Sequence, residues 1–300
     1  MINRVKTLPE YSIGKSGHDV FSAHKDLTIV MAPYERFSIF AKSIDLLFKT
    51  VSIPFNLIIV ESSAPEQIRS TLEHRHRQHK NITILYTKEI PPTYAAFNLA
   101  FPHIKTKYVF LMVNDIKLQK GSLEKLIEHA EQHQCDIACP NNSMISRSVI
   151  RMNGQRERAN SVTSFGLRPS FLMTQDALQK IGKFDSHMNA FVGGLDAMLT
   201  LQEKKLKVCT VPDSLISSYS DSSAPLIDSD LYTFQWSIEK TNQCLQRLED
   251  KWNVRLPKDS YMVWFNSKTK PKNNYAFVTN LFAQFMSVFK STKILDPVKR

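Results

Sequence analysis

Four short apolar runs, each followed by polar residues and then by a helical pattern, constrain this chain more than any other feature. They are Leu27-Thr-Ile-Val-Met31, Phe55-Asn-Leu-Ile-Ile-Val60, Ile82-Thr-Ile-Leu85 and Tyr108-Val-Phe-Leu-Met-Val113. Continuous apolar, β-branched runs of this length are what strands buried on both faces require. Between the first two, Phe37, Phe40, Ala41, Ile44, Leu47 and Phe48 fall on one helical face. Strands alternating with helices predict an α/β fold with a mostly parallel sheet flanked by helices and joined by right-handed crossovers. At 300 residues and 42% hydrophobic content, the chain is long enough to cover such a sheet.

The rest of the chain is organised around that sheet. Residues up to about Lys25 are polar and predict an arm or edge element. Ser122 is the expected N-cap of a helix whose buried stripe is Leu123, Leu126, Ile127 and Ala130. The stretch Asn141 to Ser164 is polar and aperiodic, and is expected to be a long mobile loop. Further helices are expected around Ala177 to Ile181, after Gly193-Gly194, and over Trp236 to Trp252, with a strand at Lys207 to Val211. The predicted domains are an arm over 1–25, a sheet domain over 26–222 and a C-terminal helical extension over 223–300.

Charge and cysteine usage narrow the partners. The net charge of +11, from 39 Lys and Arg against 28 Asp and Glu, favours anionic partners. Nucleic acid is disfavoured among them, because no nucleic-acid-binding signature accompanies the charge. The four cysteines, Cys135, Cys139, Cys209 and Cys244, are too sparse for a disulfide scaffold and complete no zinc pattern. They point to a reducing, cytoplasmic setting. Met1 to Glu10 lacks the apolar core of a signal peptide, and no apolar run reaches membrane-spanning length. The C-terminal Phe277, Leu281, Phe282, Phe285, Met286 and Phe289, with Lys268, Lys270 and Lys272 upstream, fit either a peripheral contact with the cytoplasmic face of a membrane or packing on the domain or in a homodimer.

In open α/β sheets, ligands bind beyond the carboxyl ends of the strands. Here those ends are Ala32-Pro-Tyr-Glu-Arg36, Glu61-Ser-Ser63 and Asn114-Asp115. The order of these segments resembles family 2 glycosyltransferases. Leu27 to Arg36 is similar to the family's opening strand and loop, and Ile58 to Ser63 to its second strand ending in an acidic residue and serine. Pro92-Thr-Tyr-Ala-Ala-Phe-Asn98 is similar to its Ala-rich segment ending in Asn, and Tyr108 to Asp115 to the strand ending in Asp-x-Asp or Asn-x-Asp. Ile181-Gly-Lys-Phe-Asp185 with Gly193-Gly-Leu-Asp196 is similar to the acceptor half.

The resemblance implies a GT-A-type fold and transfer of a sugar from a nucleotide-sugar donor, a UDP-sugar first, to a glycan, lipid-linked or protein acceptor with inversion. It assigns Asp196 as general base. Ala32, Pro33, Tyr34, Arg36, Glu61, Asn98, Asn114 and Asp115 become donor-binding, with Asp115 also the ligand of a Mn2+ or Mg2+ ion. The first Asp of the family triplet falls on Val113, so that ion would have fewer protein ligands, and no histidine follows the last strand, where the chain reads Ser217-Ser-Tyr-Ser-Asp221.

Displacing a nucleoside diphosphate requires charge neutralisation at the phosphates, and a base within reach of the acceptor hydroxyl. Arg156 and Arg158, in a stretch that also holds Arg147 and Arg151, could supply the former through their guanidinium forks. The plainer readings are a helix N-terminal residue for Asp196, a solvated strand-end carboxylate for Glu61 and a solvated basic loop for the arginines. Two other readings stay open: a nucleotidyltransferase, and a catalytically silent module that binds a glycan or an anionic surface.

Overall fold

The computed structural model describes residues 13–16, 26–141, 149–152, 155–158, 170–219 and 228–255. The chain divides into two compact units, 1–254 and 255–300, and apart from Arg255 the second lies outside the described residues, with the C-terminal aromatic segment.

Each apolar run forms a strand. The principal sheet has eight: β1 (Ile13–Ser16), β2 (Leu27–Ala32), β3 (Asn56–Val60), β4 (Ile82–Thr87), β5 (Tyr108–Val113), β7 (Ile137–Pro140), β10 (Ser170–Thr174) and β11 (Val208–Val211), in the order β1-β4-β3-β2-β5-β10-β7-β11. Six run in one direction, and only β1 and β10 oppose them. Every residue of β2, β3 and β5 is buried, as strands covered on both faces require. Burying each of their Leu, Ile, Val and Phe side chains contributes about 1.5–3 kcal/mol. The predicted arm supplies β1 at the sheet edge, antiparallel to β4.

Helices α1 (Phe40–Thr50), α2 (Glu66–Gln78), α3 (Thr93–Ala100) and α4 (Ser122–His133) form the crossovers, and the periodicity predicts α1 and α4. In α1, Phe40, Ile44 and Leu47 are buried, while Phe48 stacks on His79 and tilts against Phe55. Further elements include a short strand β6 (Ile116–Leu118), paired with β12 (Ile216–Ser218), and helices α5 (Gln175–Ile181), α6 (Ala190–Glu203), α7 (Ser229–Gln235) and α8 (Ile238–Trp252). No helix among the described residues is long and apolar enough to cross a membrane.

Four sequence expectations are corrected. Gly121, at φ 79°, is the N-cap of α4, and Ser122 sits inside the helix with its hydroxyl donating to the Leu215 carbonyl. The Asn141 to Ser164 stretch contains a hairpin, β8 (Val149–Met152) with β9 (Gln155–Arg158), rather than loop throughout. Helix α6 begins at Ala190, capped by Asn189, so Gly193-Gly194 lies within it. The helix expected over Trp236 to Trp252 is present as α8, where Ser237 is the N-cap and accepts from the Lys240 amide. Finally, Cys135 and Cys209 are joined by a disulfide, while Cys139 and Cys244 are free and buried.

Candidate active site

Strands β3, β2 and β5 are adjacent and parallel, so Glu61, Ala32 and Asn114-Asp115 emerge along one edge of the sheet. Asn114, fully buried, organises the loop after β2. Its amide donates to the Ala32 carbonyl (3.0 Å), its Oδ1 accepts from the Tyr34 amide (3.2 Å), and its Nδ2 donates to the Arg36 carbonyl (2.6 Å). The Ser43 hydroxyl donates to the Asn114 carbonyl from α1. An aspartate here would lose the donor that holds Arg36.

Asp228 secures the other end of that loop. Its Oδ1 accepts from the Phe37 (2.7 Å) and Ser38 (3.0 Å) amides, and its Oδ2 from the Ser38 hydroxyl (2.6 Å). The ring of Tyr34 packs edge-on against Trp236, with centroids 6.4 Å apart. Pro33 is buried in the same loop.

Asp115 is fully buried, and its carbonyl accepts from the Tyr219 amide (3.0 Å). The Tyr219 carbonyl in turn accepts from Arg36 Nη2 (3.1 Å), and its ring is faced by the ammonium groups of Lys42 (5.2 Å) and Lys117 (4.6 Å). Burial, then the charge of Asp115, pushes the Tyr219 hydroxyl above its usual range. Tyr219, Lys42, Lys117 and Asp228 were missed in sequence. The tyrosine stood in the Ser217 to Asp221 segment, read only for the histidine it lacks.

Glu61 is fully buried at the end of β3. Its Oε1 accepts from Arg69 Nη2 (3.1 Å) and its Oε2 from the Ser63 amide (2.9 Å). Burial raises its carboxyl above the ordinary range, and Arg69 and the local amides oppose this. Ser62 and Ser63 take φ of 60° and 57°, a left-handed turn closed by the Glu61 side chain itself.

Asp196 lies in the second turn of α6, not at its first residues, so the helix N-terminus is not what surrounds it. It is 1% exposed, and its Oδ1 accepts from Lys251 Nζ (2.6 Å) and Trp252 Nε1 (2.8 Å), both on α8. Its Oδ2 has no hydrogen bond among the described residues. Burial, then the Asp196 charge, raises the Tyr94 hydroxyl above its usual range. Asp185 is tied to Arg247 Nε (3.0 Å), to His187 Nδ1 (3.1 Å) and to Lys251 Nζ (3.6 Å). Its carboxyl is held below the usual range against the effect of burial by the His187 amide, Arg247 and Lys251.

Asn98 donates through Nδ2 to the Phe184 carbonyl (2.8 Å) and accepts at Oδ1 from its amide (2.9 Å), so both ends of its side chain join α3 to the segment before α6. Arg156 and Arg158 lie on β9, and their side chains fall outside the described residues.

Asp115 belongs to no group of three or more metal-ligating side chains among the described residues. A divalent ion held at Asp115 would have to take most of its ligands from a bound diphosphate and water.

No curated protein matches this chain. Among solved structures, Staphylococcus aureus TarS 1-349 in complex with UDP-GlcNAc is similar at 12% identity and a TM-score of 0.53, over 84% of this chain and 75% of that one. The mannosyltransferase PcManGT from Pyrobaculum calidifontis, in complex with GDP-Man and Mn2+, is similar at 12% identity and a TM-score of 0.52, over 90% and 88%. At that identity these structures show the fold, which is GT-A-like. Residues 28–192, more than half of the chain, match the family model described as Glycosyl transferase family 2, and the chain belongs to that family.

Proposed function

We propose that this chain transfers a sugar from a nucleotide-sugar donor, a UDP-sugar first, to a glycan or lipid-linked acceptor, with inversion at the sugar carbon. The observation that carries the reading is the buried Asn114-Asp115 pair at the end of β5, locked to the Tyr34 to Ser38 loop. A family 2 chain binding a donor needs a rigid floor at these strand ends, and two buried side chains, Asn114 and Asp228, supply it from opposite sides.

Within this reading Asp115 stands at the donor diphosphate. A Mn2+ or Mg2+ ion held there would neutralise the charge that builds on the leaving phosphate. Arg36 supports the site through the Tyr219 carbonyl, and Lys42 and Lys117 add positive potential beside it. Asp196 is the base. Its Oδ1 stays with Lys251 and Trp252, and its Oδ2 takes the acceptor's hydroxyl proton as the acceptor oxygen bonds to the sugar carbon and the nucleoside diphosphate departs. Asp196 is 1% exposed, so an acceptor reaches Oδ2 only after the side chains over it move. We place the reaction on the cytoplasmic side, with the stretch from Phe277 to Phe289 either contacting a membrane surface or packing on the domain or in a homodimer.

A panel of UDP-, GDP-, CMP- and dTDP-sugars, with and without manganese, tests this on the wild type and on Asp196→Asn. Release of a nucleoside diphosphate, or of CMP from a CMP-sugar, that collapses in the variant supports sugar transfer. Pyrophosphate released from a nucleoside triphosphate and a sugar 1-phosphate in a parallel assay would point to nucleotidyl transfer, and absence of both turnover and nucleotide binding would mark a silent module.

A further inference from the structure

We propose that the reduced chain holds a zinc(II) ion between His129, His133, Cys135 and Cys209, at the end of the sheet opposite the candidate active site. Strands β7 and β11 run parallel to β5, and Cys135 precedes β7 while Cys209 is the second residue of β11. Both sulfurs therefore sit at the strand starts, away from the ends that carry Asn114 and Asp115.

One imidazole nitrogen of His129 and the sulfurs of Cys135 and Cys209 all lie within 4.8 Å of one another. Tetrahedral zinc, with Zn–S near ~2.3 Å and Zn–N near ~2.0 Å, sets its ligand atoms about 3.3–3.8 Å apart, so small side-chain rotations close the set once the sulfurs are thiols. The fourth ligand is on hand. His133 lies four residues after His129, which places both rings on one face of α4, with centroids 4.1 Å apart. It is exposed, so its ring can turn toward the sulfurs.

The backbone already brings the four together. Gln134 takes φ 50° and ends α4, and the Cys135 amide then returns to the Ala130 carbonyl (3.0 Å), which folds Cys135 back beneath His129. Lys207, two residues before Cys209, donates its amide to Asp136 Oδ2 (2.8 Å) and its ammonium to the His133 carbonyl (2.5 Å). The neighbouring carboxylates are engaged elsewhere: Asp136 with Lys207, and Glu131 with Lys107 (2.6 Å). What remains is a nitrogen and sulfur set of the kind that selects zinc over magnesium or calcium.

The disulfide and the metal are two uses of the same sulfurs. In a reducing compartment the sulfurs are thiols, and binding then follows Zn2+ + 2 RSH → Zn(SR)2 + 2 H+, with no change of oxidation state. Zinc would join the C-terminal end of α4 to the edge strand β11 in place of the S–S bond.

The test uses the full chain reduced with a phosphine under native conditions, desalted, and titrated with Co2+ and then with Zn2+ against a chromophoric chelator. The expected result is a single equivalent of Co2+ with thiolate-to-cobalt charge-transfer absorption, displaced by Zn2+. His129→Ala leaves the disulfide-forming pair intact, and should weaken zinc binding at least about tenfold, the loss that even an outer-shell partner produces. Cys209→Ser should abolish the charge-transfer band while circular dichroism stays native. A folded wild type that gives no charge-transfer band, a disulfide that resists reduction in the native state, or His129→Ala binding zinc as tightly as wild type would each overturn the proposal. Sugar-transfer activity is not part of the readout.

Discussion

The ammonium of Lys251 lies 2.6 Å from Asp196 Oδ1 and 3.6 Å from Asp185 Oδ2, so one cation on α8 joins the two carboxylates that flank the start of α6. Removing it with Lys251→Met leaves Asp196 buried, with only the Trp252 indole to satisfy it. Losing a partner of a buried charged group costs about 1–3 kcal/mol, and the 35% exposure of the lysine side chain places this case toward the lower end. Urea unfolding should show a loss of about 1–2 kcal/mol for Lys251→Met and a smaller one for Lys251→Arg. If Asp196 acts as base, donor turnover in Lys251→Met should fall with KM for the donor unchanged, since no donor contact is touched.

Asn114→Ala tests the floor of the donor site. It removes the Asn114 hydrogen bonds of the buried Tyr34 amide and Arg36 carbonyl, each worth about 1–3 kcal/mol. A stability loss of about 2–4 kcal/mol is expected by chemical denaturation, with weaker nucleotide binding by calorimetry. Full nucleotide affinity in a folded Asn114→Ala chain would separate the loop from donor recognition.

Glu61 predicts a pH dependence. Its ordinary value is 4.5, and burial raises it in the folded chain. Between the unfolded and folded values the native state holds more of the proton, so this residue makes stability fall as pH rises through that window. Glu61→Gln abolishes the titration while keeping the shape. Its stability, followed by urea unfolding from pH 4 upward, should decline less over that window than the wild type's, and parallel curves would show that Arg69 compensates the burial fully.

The strands and crossover helices were legible because burial on both faces writes itself as continuous apolar runs, and burial on one face as a 3.6-residue stripe. Asn114 and Asp115 were legible as the first polar residues after β5. What was hidden depends on pairs far apart in the chain. Lys251 and Asp196 are 55 residues apart, Asp228 and Phe37 are 191 apart, and Cys135 and Cys209 are 74 apart. A local pattern carries no signal for such pairs. Asp196 was misplaced relative to its helix for a related reason: Gly193-Gly194 reads as a helix break, but tertiary packing keeps both glycines inside α6.

That packing yields the last prediction. A Cβ built on Gly193 would lie 2.6 Å from Tyr94 Cδ2 and 3.2 Å from its Cε2. Alanine is favoured over glycine inside a helix by about 1 kcal/mol, so propensity alone would stabilise Gly193→Ala. The clash decides otherwise, because Tyr94 is fully buried and wedged between Phe97 and Phe184, with centroids at 6.0 and 5.0 Å. Overpacking of this kind costs about 1–3 kcal/mol, so Gly193→Ala should be neutral to destabilising by about 2 kcal/mol in urea unfolding. The cause is separable in a double-mutant cycle with Tyr94→Leu. If the ring is the obstacle, the alanine should cost less, or become stabilising, in the leucine background. An unchanged cost there would mean that Gly193 is required for its backbone and not for the space it leaves to Tyr94.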